Sequence, residues 1–137
     1  MLDRASSIFS QLTDGAFLGL TSEWQAEDSP PKLVGVRKDS HSVPPEGMSE
    51  GTQDQLYLSL RLAALELYLE SHEPMPLILD DLLITYDDAR AAALLRQLTS
   101  TARLTQVIVF THHRHLRELC EETLGKGQFY WHSLEGR

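Results

Sequence analysis

Leu77-Ile78-Leu79-Asp80-Asp81 is the stretch that decides the fold. Three apolar residues stand between Pro76 and a pair of carboxylates. That pattern reads as a short strand ending at a polar edge. Val107-Ile108-Val109-Phe110 repeats it and ends in Thr111-His112. Strands that are apolar throughout suggest a sheet covered on both faces, so burial of both faces is expected here. Between the two strands, Asp87 can cap a helix running to about Ser100, with Ala91, Leu94, Leu95 and Leu98 turned inward. Strand, helix and strand make a βαβ unit, and the fold class is α/β with a partly parallel sheet.

Working outward, the clearest helix runs from Ser49 to about Ser71. Leu56, Leu60, Ala63 and Leu67 form one apolar stripe, and Leu58, Leu62, Leu65 and Leu69 form another. Two stripes predict burial over much of the circumference. Pro74 and Pro76 mark its end. Residues 2 to 13 read as a short helix with Ile8, Phe9 and Leu12 on one side. Ala16 to Trp24 and Leu33 to Arg37 read as hairpin strands, with a turn at Lys38-Asp39-Ser40. A helix over about 113 to 124 stops at Gly125, and Gln128 to Leu134 reads as a last strand.

The chain has 137 residues, enough for one domain with a sizeable core. Net charge is −8, which argues against this chain gripping a nucleic-acid backbone unaided. The lone Cys120 cannot form an internal disulfide and suits a reducing cytoplasm. No apolar run is long enough to span a bilayer.

Ligands of open α/β sheets gather beyond the carboxyl ends of parallel strands. Asp80, Asp81 and His112 fall there. Asp80 offers a rigidly placed carboxylate to a hard cation such as Mg²⁺. Asp81 can accept a proton from an attacking water. The same pair can equally begin a polar loop, and a histidine at a strand end is commonly a structural donor. Ser49 at a helix start is most simply an N-cap. Gly51 adds close backbone approach, and a helix N-terminus attracts phosphate.

Taken in order, these features resemble the C-terminal lobe of ATPase heads in the structural-maintenance-of-chromosomes (SMC) and SbcC group, and within it the YhaN-like AAA branch. The residues that carry the resemblance are Met48-Ser49-Glu50-Gly51-Thr52-Gln53-Asp54-Gln55-Leu56-Tyr57-Leu58, Leu77-Ile78-Leu79-Asp80-Asp81 and Thr111-His112-His113-Arg114-His115-Leu116. The likeness spans about Phe9 to Leu134. It implies one domain over 1–137, the C-terminal half of a P-loop NTPase head of ABC/SMC type. Flanking helices and an N-terminal β-hairpin region accompany the partly parallel sheet.

The resemblance also implies roles. Ser49, Glu50, Gly51 and Thr52 would form the signature that meets the γ-phosphate of ATP on an opposite head. Asp80 would be the Walker B carboxylate near Mg²⁺. Asp81 stands where the group usually has a catalytic glutamate, Asp87 resembles the D-loop aspartate, and His112 resembles the switch histidine. Glu50, Thr52 and Asp81 depart from the common ABC pattern, replacing glycine, Gln or Glu, and glutamate respectively. All three look like the YhaN-like branch.

A P-loop needs Gly-x-x-x-x-Gly-Lys-Ser/Thr to wrap phosphates in backbone amides and a lysine. The only Gly-Lys pair, Gly125-Lys126, puts Cys120 and Gly127 at the deciding positions, and both fail. ATP hydrolysis with Mg²⁺ is therefore expected only when a P-loop-bearing N-terminal lobe or a second head completes the site. Homodimerisation fits that scheme, and DNA would be met only through the larger assembly, in DNA repair or chromosome maintenance. A non-catalytic interaction module derived from such a lobe is the alternative. A third reading treats Asp80, Asp81, His112, His113 and His115 as metal ligands. His113 and His115 flank Arg114, so the five cannot easily face one ion.

Overall fold

The computed structural model describes residues 1–134, with backbone only for Ile84. Residues 135–137 of the expected domain lie outside the described residues. The chain forms two compact units that divide between Met75 and Pro76.

In the first unit, helix α1 (Leu2–Leu12) buries Ala5, Ile8, Phe9 and Leu12. Their spacing puts all four on one helical stripe. Strand β1 (Phe17–Glu23) pairs antiparallel with β2 (Lys32–Arg37), and β2 pairs with the short β3 (Ser42–Val43). The rings of Phe9 and Phe17 lie 5.1 Å apart and join α1 to the sheet. Gly19 permits that approach, because a Cβ there would stand 2.0 Å from Ser6 Oγ. Leu20 N donates to the same oxygen at 2.8 Å.

Helix α2 (Glu50–Leu69) leaves Asp54, Tyr57, Arg61, Ala64 and Tyr68 exposed as one narrow stripe. Burial over the rest of its circumference follows the leucine pattern. It is deepest at Leu56, Leu58, Leu62 and Ala63, whereas Leu60, Leu65, Leu67 and Leu69 are only half-buried. Gln55 is buried too, and its Nε2 donates to Leu12 O at the end of α1. Arg4 ties the same two helices at their other ends through ion pairs with Glu66 and Glu70.

In the second unit, β4 (Leu77–Asp80) and β5 (Val107–Phe110) run parallel, with Ile78 opposite Ile108 and Asp80 opposite Phe110. Helix α3 (Asp88–Thr101) lies between them in sequence, and α4 (Arg114–Leu124) follows. Ala91 and Leu95 of α3 meet Leu116, Leu119 and Cys120 of α4 in a small core, with Val109 and Phe129 packed against it. Gly125 ends α4 at φ +79°, a conformation that costs glycine little.

The described residues correct two expectations. The β4–β5 sheet is not covered on both faces. Leu77, Leu79, Val107 and Val109 share the half-buried face, while on the other Ile78 is 58% and Phe110 43% exposed. An apolar sequence fixes what a strand can bury, not whether this chain supplies the cover. Gln128 to Leu134 form no strand either. No described strand lies beside them to take their backbone bonds, and Tyr130 is 90% exposed. Among the described residues, no helix is long and apolar enough to cross a membrane.

Candidate functional site

Asp80 is the last residue of β4 and is exposed. Its carboxylate is a hard oxygen donor at a fixed strand end, which suits Mg²⁺. Asp81 does something the sequence did not announce. Its backbone turns into the left-handed region, φ 50° and ψ 22°, while its N–H donates to Phe110 O at 2.9 Å. The bond extends the β4–β5 pairing one residue past the strand. Left-handed backbone disfavours most side chains, and Asp is among the few that visit it. Such a conformation costs on the order of 1 kcal/mol and concentrates at functional positions.

That turn brings Asp81 to His112. Asp81 Oδ2 lies 3.0 Å from His112 Nδ1, joining the ends of the two parallel strands. Asp81 Oδ1 is buried and has no hydrogen-bond partner among the described residues. The rings of His112 and His113 lie 4.3 Å apart. One ligating atom from each of Asp81, His112 and His113 falls within 4.8 Å of the others. The five-residue cluster read from the sequence therefore divides, and neither Asp80 nor His115 belongs to this group.

His115 turns instead to Asp88, with Nε2 2.9 Å from Oδ1. The hydrogen bond to Asp88, helped by that carboxylate's charge, raises the imidazole pKa above its ordinary value. Asp88, His113 and His115 rim a small pocket whose wall includes Ala91, Leu116 and Leu119. This pocket was not legible in the sequence, because it depends on how α3 meets α4. Asp87 caps α3: its Oδ1 accepts from Arg90 N at 2.8 Å. Its other oxygen lies 3.7 Å from Arg90 Nε.

In the first unit, Ser49 caps α2. Its Oγ accepts from Thr52 N at 3.3 Å and lies 2.8 Å from Thr52 Oγ1. Ser49 and Glu50 are exposed, while Gly51 and Thr52 are half-buried. The local structure is thus a capped helix start, with Gln53 Nε2 donating back to Met48 O at 3.2 Å. Capping alone accounts for the hydroxyls of Ser49 and Thr52.

No family model matches the chain. It is 28% identical over 119 residues to the uncharacterized protein YhaN of Bacillus subtilis strain 168. The alignment covers 86% of this chain but spans only 12% of that relative's length. Solved structures agree in fold. A chain studied for ATP-driven dimerization and DNA-stimulated activation of SMC ATPases superposes with TM-score 0.59 and 16% identity, over 86% of this chain and 73% of that one. An SMC head bound to the C-winged helix domain of ScpA gives TM-score 0.64 and 17% identity, over 86% of this chain and 36% of that one. With its strand order, its carboxyl-end residues and its sequence likeness to YhaN, this chain has the α/β fold of the C-terminal lobe of an SMC-like ATPase head.

Proposed function

We propose that this chain is the C-terminal part of an SbcC/YhaN-like ATPase and contributes half of a composite ATP site. The observation that carries the reading is the Asp81–His112 pair, 3.0 Å apart, beside Asp80 at the carboxyl ends of two parallel strands. In this reading Ser49, Glu50, Gly51 and Thr52 face a nucleotide held by an opposite head. Asp80 would hold Mg²⁺, which neutralises charge on phosphate oxygens when bound. Asp87 lies at the head–head interface.

The chain's own residues divide the remaining work. His112 is held at Asp81 Oδ2, and in this reading the Asp81 carboxylate takes a proton from the attacking water. His112, held through Nδ1 at Asp81 Oδ2, would contact the γ-phosphate. Asp81 thereby fixes the ring that touches phosphate. Glu50 adds negative charge near the phosphates and favours an assembly in which a P-loop lysine offsets it. The wider role is ATP-driven clamping of two heads in DNA repair or chromosome maintenance, in the cytoplasm, with DNA bound by the assembly.

The test is calorimetry and phosphate release with ATP and Mg²⁺, on the chain alone and mixed with a P-loop-bearing N-terminal lobe. The expected result is turnover in the mixture only. In that mixture Asp81→Asn keeps ATP binding and slows hydrolysis by roughly a hundredfold or more. Turnover by the chain alone, or an unaffected Asp81→Asn, overturns the assignment. A second reading, a non-catalytic interaction module, draws on the exposed Ile78 and Phe110. It predicts no response to nucleotide in either sample.

A further inference from the structure

The geometry points to a transition-metal site formed by Asp81, His112 and His113, separate from the Mg²⁺ position assigned to Asp80. Three observations support it. The donor atoms are gathered, with all three within 4.8 Å of one another and the Asp81–His112 pair at 3.0 Å. Ligand atoms around a tetrahedral Zn²⁺ stand roughly 3.4 Å apart, given bond lengths of about 2.0–2.1 Å. The close pair is already within a few tenths of an ångström of that spacing, and side-chain rotation can bring in the third atom.

The backbone behind the ligands is anchored. Asp81 N is bonded to Phe110 O at 2.9 Å, and His113 N to Thr111 Oγ1 at 3.1 Å. Asp81 is also held in a left-handed conformation that aims its carboxylate at the histidines. Ligands placed by rigid strand ends lose less freedom on binding.

The donor chemistry selects the ion. Two imidazoles and one carboxylate suit Zn²⁺, Co²⁺ or Mn²⁺, whereas Mg²⁺ prefers oxygen alone. The His112 side chain is 67% exposed, so the site has an entry path and room for water as a fourth ligand. The site takes a divalent transition-metal ion with three protein ligands and one open position. If the ATPase reading holds, metal occupancy and hydrolysis exclude each other, because both use Asp81 and His112.

The test is titration of the 137-residue chain with ZnCl₂ by calorimetry and with Co²⁺ by visible absorption, without nucleotide. The expected result is one saturable equivalent with ligand-field bands of low coordination number. His113→Asn should weaken binding by at least about tenfold with unchanged circular dichroism. His41→Asn, at an exposed histidine paired with Asp39 in the other unit, should leave it unchanged. Absence of saturable binding overturns the inference. So does loss of binding in His115→Asn with none in His113→Asn, which would place the ion at Asp88. Neither outcome bears on the nucleotide reading.

Discussion

His115 and Asp88 come from different helices yet their side chains meet at 2.9 Å. The pair sets a pH dependence whose sign is fixed by the direction of the shift. The pKa of His115 is raised in the folded chain by its hydrogen bond to Asp88 and by the carboxylate's charge. The contact therefore stabilises the fold while His115 is protonated, fully so below the unfolded imidazole's pKa. That contribution is lost as pH rises through the folded pKa. Both side chains are exposed, so solvent screens the effect. In an NMR titration the His115 midpoint should lie above that of an ordinary histidine, and Asp88→Asn should bring it down. A midpoint that does not move would mean the contact is absent in solution. Asp81 teaches the opposite lesson about reading residues. Its type and place could be read from Leu77-Ile78-Leu79-Asp80-Asp81, but its left-handed backbone could not. That conformation occurs where Asp81 N bonds to Phe110 O across the sheet, a pairing that the local sequence does not encode.

At the scale of elements, capping explains why the helix starts were legible. Ser49 and Asp87 precede α2 and α3, and each accepts a hydrogen bond from the helix it opens. Side-chain caps satisfy an amide that the helix itself cannot, so selection for the cap writes the boundary into the sequence. The two caps differ in geometry: 2.8 Å for Asp87 to Arg90 N, 3.3 Å for Ser49 to Thr52 N. Asp87→Ala should cost about 1 kcal/mol in urea unfolding, and Ser49→Ala should cost less. The reverse order would mean that Ser49 is held by more than its cap. Elements without a local signal were harder to read. Strand β3 has two residues, Ser42 and Val43, and exists only through pairing with β2. The segment 128–134 carries three consecutive aromatics, Phe129-Tyr130-Trp131, residue types that suit a strand, but a strand also needs a neighbour.

For the whole molecule, what matters is the apolar surface the chain leaves uncovered. On one face of β4–β5, Ile78 is 58% and Phe110 43% exposed, beside half-buried Ile108. Parallel strands are ordinarily buried on both faces. Side chains of this size contribute about 1.5–3 kcal/mol each when fully buried, and both are already about half covered, so a partner surface that completes their burial gains roughly 1.5–3 kcal/mol in all before its ordering costs. The composite-head reading and the interaction-module reading both need such a partner, and they differ only in whether nucleotide governs it. In isolation the face should drive self-association. Sedimentation velocity at rising concentration should show reversible oligomers, and Ile78→Lys should shift the chain toward monomer. The substitution sits at an exposed position, so circular dichroism and the urea midpoint should change little. A wild-type chain that stays monomeric throughout would mean that this face is tolerated by water. The partner expected by either reading would then have to be sought at the helix starts around Ser49 and Asp87.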